Sequence, residues 1–213
     1  PITPFPSDGV GAVAGDPPGT QVYRNVVGGS LLIYRPGAGQ RMADDITLAN
    51  GACSVSYYTL RVAGLNQGGG ATFDVQTALW NGDPCQPGSS VIAGTLQTFT
   101  GILNNQTVFD LEAILDPIVP VPGTVWLAAT FSTNDSGWVR AGQAEVGSTT
   151  NIWSEDHIHQ PPPPDNPPTG CGLFTFNSSG IPWAGFWAQI NCNLPSNPPG
   201  ACCNGVTCTQ TTQ

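Results

Sequence analysis

From Ala71 to Trp80 the chain alternates without a break: Phe73, Val75, Thr77 and Leu79 fall on one face, Thr72, Asp74, Gln76 and Ala78 on the other. A period of two is that of a strand with one buried side. The stretch 125–131 repeats the pattern, with Val125, Leu127, Ala129 and Phe131 opposing Trp126, Ala128 and Thr130. Runs rich in β-branched and aromatic residues follow at sandwich-like spacing: DDITLA, CSVSYYTLRVAG, SVIAGTLQTFT, QTVFDLEAIL, GWVRAG and GFWAQIN. Gly, Pro or Asn-Gly divides nearly all of them. QTVFDLEAILD comes nearest to a helix, but Val108, Asp110 and Glu112 alternate with Phe109, Leu111 and Ala113, so it reads as a strand. TQVYRNVV and SLLIYR flank Gly28-Gly29, a two-glycine hairpin signal. The predicted fold is all-β: an antiparallel two-sheet sandwich of jelly-roll type, with an immunoglobulin-like sandwich as the competing arrangement.

Punctuation sets the boundaries. Residues 1–19 are Pro/Gly-rich with small apolar residues and are expected to run extended, so 1–29 form an arm leading into the first strand. Residues 30–193 form the sandwich domain. Within it, SEDHIHQPPPPDNPPTG at 154–170 is an exposed loop, Pro161–Pro164 being a stiff polyproline rod. Residues 194–213 are a linker and a cysteine-containing tail too short for its own core.

Composition narrows the compartment. The chain has 213 residues, five Arg, no Lys, and a net charge of −9, which repels phosphate backbones and excludes nucleic acid and anionic lipid as partners. No apolar run approaches the roughly 20 residues of a membrane-spanning helix. Seven cysteines, Cys53, Cys85, Cys171, Cys192, Cys202, Cys203 and Cys208, lack C-x-x-C spacing and point to disulfides in a secreted or cell-surface protein rather than to zinc. Pro1 as the first residue fits removal of a secretory signal.

The segments RMADDITLANGACSVSYYTLRV, FDVQTALWNGDPC, VWLAATFSTNDSGWVRAGQAEVGSTTNIW and WAGFWAQINC resemble secreted bacterial β-sandwich domains of large exported proteins, over about residues 30–192. The tail from Gly200 to Cys208, GACCNGVTC, resembles the cysteine tail of those relatives, in which a further cysteine follows the Thr-rich stretch. The resemblance implies secretion and a jelly-roll-like fold. It carries no catalytic residues, and it implies an eighth cysteine beyond Gln213.

Sequential spacing favours bridges Cys53–Cys85, tying one hairpin, and Cys171–Cys192, bracketing the last aromatic segment. The remaining three allow Cys202 or Cys203 to join Cys208. Glu155, His157 and His159 share one side of an extended segment and could offer a metal two imidazoles and a carboxylate; a solvated loop is the plainer reading. Asp44-Asp45, Asn81-Gly82-Asp83 and Asn134-Asp135-Ser136-Gly137 supply oxygen ligands suited to calcium, though turn formation is the commoner role of such residues. No complete metal motif and no nucleophile motif occurs, so neither a resident cofactor nor catalysis is expected. Of six tryptophans, Trp126 opposes an apolar face and is the candidate for stacking on a sugar ring. Asn105, Asn134 and Asn177 stand in glycosylation sequons.

Two functions remain. In the first, the chain is a structural subunit whose arm, with Val10, Ala12, Ala14, Val22 and Val26 as pocket fillers, adds a strand to a neighbour's sheet and builds a head-to-tail homopolymer. In the second, it is a carbohydrate-binding or adhesive module.

Overall fold

The computed structural model describes residues 19–26, 33–66, 70–150, 152–156, 171–175, 185–193, 201–204 and 207–210. Its strands in chain order are β1 (Thr20–Asn25), β2 (Ile33–Tyr34), β3 (Arg41–Thr47), β4 (Cys53–Gly64), β5 (Thr72–Trp80), β6 (Gln97–Leu103), β7 (Val108–Val121), β8 (Thr124–Phe131), β9 (Ser136–Ala141), β10 (Ile152–Asp156), β11 (Cys171–Thr175), β12 (Gly185–Phe186), β13 (Ala188–Asn193), β14 (Ala201–Asn204) and β15 (Thr207–Gln210). No helix occurs among the described residues, and every strand ladder is antiparallel.

The first sheet is built on the long strand β4. One side of β4 carries β7; the other carries β13 along Ser54–Leu60 and then β9 along Val62–Gly64. β1 lies outside β13, while β12 and β2 pair with β9. The second sheet runs β11-β10-β3-β8-β5-β6, and β14 with β15 form a separate hairpin. Between the sheets, Val22, Tyr58, Leu60, Ile190 and Trp138 from the first meet Met42, Ile46, Phe73, Leu79, Leu127 and Phe131 from the second, all fully or almost fully buried. The alternation read from 71–80 and 125–131 is thus realised: Phe73, Val75, Thr77 and Leu79 point inward with Val125, Leu127, Ala129 and Phe131. β7 confirms the strand reading of QTVFDLEAIL and continues through a cis Asp116–Pro117 bond to Val121.

Three expectations are corrected. The sandwich begins at Thr20 rather than at residue 30, because β1 pairs with β13 and buries Val22 and Tyr23. Among the described residues the two runs flanking Gly28-Gly29 do not pair with each other: β1 goes to β13 and β2 to β9, each finding a partner remote in sequence. The core disulfides are Cys53–Cys192 and Cys85–Cys171, not Cys53–Cys85 and Cys171–Cys192. The reason is topological. β13 is the immediate neighbour of β4, bringing Cys192 to a Cα separation of 6.0 Å from Cys53, whereas Cys85 follows a strand of the opposite sheet. The loop after β5 carries Cys85 to β10 and β11, where its Sγ lies 3.6 Å from the Glu155 carbonyl and Cys171 opens the edge strand.

Candidate functional site

A sandwich with open sheets has edges, and each edge presents backbone groups that another strand can pair. Here the edges differ in how they are closed. β1 is covered by the segment after β9: Arg24 N donates to the Val146 carbonyl and Glu145 N to the Arg24 carbonyl. β7 is bonded to β4 alone among the described residues, but it carries Asp110, Glu112 and Asp116 and two prolines, Pro117 and Pro120, which lack N–H donors. β11 is five residues long and tied at its first residue by the Cys85–Cys171 bond.

β6 has none of these guards. Its sequence, Gln97–Leu103, contains no charge and no proline, and among the described residues it is paired only with β5. Its inward-facing Phe99 and Ile102 pack against the core yet stay half-buried, as do Ile92 and Phe109 beside them. At the two ends of β6, Leu96 and Leu103 are 51% and 49% exposed. The loop entering β6 is fixed from within. Thr95 is buried, its hydroxyl bonding Leu79 N and O, while its carbonyl accepts from Tyr58 Oη at 2.7 Å. That anchor turns the next residue, Leu96, outward.

The outer face of the second sheet holds a different arrangement. Cross-strand registers place Trp126 beside Trp80 and Asp45, and Ala128 beside Ala78 and Ala43. Ala78 and Ala128 floor a depression of about 150 Å³, walled by Trp80, Arg41, Thr130, Val91 and Leu96. The Arg41 guanidinium sits 4.5 Å from the Trp80 ring centroid, a cation–π contact. Trp126 is half-buried at the margin of this face. Among the other described tryptophans, Trp138 is in the core, stacked on Phe186 at 4.7 Å, Trp153 is buried, and Trp187 lies under Arg61.

Two carboxyl groups lie between the sheets. Asp44, on the inward phase of β3 with Met42 and Ile46, accepts from Phe186 N at 2.9 Å and so ties the second sheet to the first. Burial pushes its carboxyl well above the usual range, only partly offset by the Phe186 N–H. The Thr149 hydroxyl lies 3.1 Å from Asp44 Oδ1, Asp45 Oδ1 and the Thr150 carbonyl. The hydroxyl has one hydrogen, so it donates to one of these three acceptors at a time. Glu155, on the inward phase of β10 with Trp153, accepts from Tyr34 Oη at 2.5 Å. Burial, then this bond, raises the Tyr34 hydroxyl far above its ordinary value.

No known protein family, curated protein or solved structure matches this chain. Its function is therefore read from its own residues. Glu155 is turned into the sandwich, which removes it from an exposed metal set with His157 and His159; those histidines, like Val10, Ala12, Ala14, Trp183 and Asn177, lie outside the described residues. Asp83 is buried and closes its own turn, Oδ1 accepting from Cys85 N, and Asn81 clamps Ser90 across the same loop. Asn134 accepts from Ala38 N, and exposed Asp135 accepts from Leu65 N through its backbone carbonyl. Among the described residues no group of three or more His, Cys, Asp or Glu converges on a metal position. Asn105 and Asn134 are exposed. Val22 is spent in the chain's own core and Val26 is half-buried. The inward carboxyls Asp44 and Glu155 and the β6 edge are what sequence reading missed; for the carboxyls the signal was their phase with apolar neighbours two residues away.

Proposed function

We propose that the protein is a non-catalytic, secreted structural subunit that assembles head to tail, a segment preceding β1 of one copy adding as a strand along β6 of the next. The observation that supports this reading is β6 itself, an uncharged, proline-free edge with half-exposed core residues in a sandwich whose other long edges are covered or guarded. The donor follows from proline spacing. A paired strand needs its N–H groups, and residues 7–16 are the proline-free run ahead of Pro17, with Val10, Ala12 and Ala14 alternating along it. Small side chains suit a shallow seam over Phe99 and Ile102. The contact joins unlike surfaces, so it propagates unless rotation closes a ring.

Negative-stain electron microscopy of the untagged chain in non-reducing buffer tests the proposal. Regular fibres are expected from the intact protein, and monodisperse single-chain particles from a variant lacking residues 7–16 and from Thr98→Lys/Thr100→Lys on β6. A truncated protein that assembles like the intact one overturns it.

The depression beside Trp80 and Trp126 supports a second reading, a carbohydrate-binding or adhesive module stacking a sugar ring on the half-buried Trp126 indole. Affinity electrophoresis in gels containing soluble polysaccharides tests it: retardation lost in Trp126→Ala is expected, and equal mobility of both proteins in every gel removes it.

A further inference from the structure

The C-terminal hairpin pairs Ala201 with Gln210, Cys202 with Thr209, Cys203 with Cys208 and Asn204 with Thr207. We infer that Cys203 and Cys208 are joined by a third disulfide that leaves Cys202 out. Residues directly opposite in an antiparallel ladder have Cα atoms about 4.5 or about 5.5 Å apart, according to the kind of pair. Both distances fall inside the roughly 4.4–6.8 Å that a disulfide spans. Cys202 is one position along, in register with Thr209 rather than with Cys208. Cys53, Cys85, Cys171 and Cys192 are already bonded to one another.

The bond forms by exchange. One tail thiolate attacks the disulfide of an oxidising dithiol–disulfide exchange protein to give a mixed disulfide. The second tail thiolate displaces it, so two tail thiols are oxidised and the exchange protein leaves as its dithiol. The staple answers a physical need. A two-stranded ribbon this short buries too little to hold its register unaided, and a cross-link beside the turn removes the open forms from its ensemble.

The full chain, purified without reductant, is denatured, alkylated with iodoacetamide, cleaved and sequenced by tandem mass spectrometry. The expected result is one label in the tail, at Cys202, with backbone fragmentation suppressed between Cys203 and Cys208. A peptide in which Cys202 is joined to a second chain while Cys203–Cys208 stays intact supports the same pairing. A label on Cys203 or on Cys208 overturns it. Cys202→Ser is expected to lose the label without altering the cross-linked peptide, whereas Cys203→Ser frees Cys208 for labelling or for exchange with Cys202.

Discussion

Removing the Cys53–Cys192 bridge tests the topology directly. The bond spans a sequence separation of 139, tying the start of β4 to the end of its neighbour β13. For a cross-link closing a loop of that length, the chain-entropy relation gives about 5 kcal/mol of destabilisation of the unfolded state. In Cys53→Ala/Cys192→Ala both positions remain buried and apolar, so loss of the covalent constraint dominates. At roughly 2–4 °C per kcal/mol for a chain this size, Tm falls by about 10–20 °C in differential scanning calorimetry. Heat alone does not discriminate the pairings, because a Cys53–Cys85 link, spanning 85 − 53 = 32 positions, still gives about 3.7 kcal/mol by the same relation. Alkylation of the denatured double variant does. Cys85 and Cys171 stay bonded to each other and take no label. Labels appearing on both, or a Tm lowered by less than about 3 °C, would refute the reasoning.

Asp44→Asn is expected to be at least as stable as the parent at neutral pH, since an amide keeps an acceptor for Phe186 N and carries no charge for burial to disfavour. Because the folded carboxyl binds its proton more tightly than the unfolded one, the parent's stability from this group is fully present below the unfolded value of about 3.9 and is lost as pH rises through the folded value. Tm of the parent relative to Asp44→Asn should therefore rise on acidification from pH 7 toward 4; parallel curves, or a variant several degrees less stable at pH 7, contradict this. Gly137→Ala places a methyl group against the Tyr34 carbonyl and Ile33 side chain of β2, so β2 must leave β9. A loss of about 2–4 kcal/mol is expected in urea unfolding, and an unchanged midpoint would show that β2 does not pack as described. Tyr34→Phe withdraws a donor from buried Glu155 and should cost about 1–3 kcal/mol in the same assay; a stability equal to the parent's would mean that the bond contributes nothing.

How much of this was legible depends on range. Period-two patterning is local, and it placed β5, β8 and even β7 with the correct faces buried. Strand pairing is not local. Nothing near Gly28-Gly29 reveals that β1 will prefer β13, because the partner becomes available only when the first sheet closes around β4. The cysteines fail for the same reason: spacing favours neighbours in sequence, while the bonds join neighbours in space. Trp126 was correctly placed off the core face, but its partners Trp80 and Arg41 needed the registers of three strands.

The edges join the readable and unreadable parts. Charge and proline are local, so the guarded character of β7 can be read from Asp110, Glu112, Asp116, Pro117 and Pro120 once it is known to be an edge. The lack of any guard on Gln97–Leu103 is just as visible in the letters, yet it means nothing until β6 is found at the end of its sheet. An interior strand of that composition is ordinary. An edge strand of that composition, above half-buried Phe99 and Ile102, is a surface that water covers poorly and that a ten-residue run of small side chains would cover well. The same chain holds such a run, residues 7–16, ahead of the strand that opens the sandwich. On the proposed head-to-tail reading, that run of one copy covers this edge of the next.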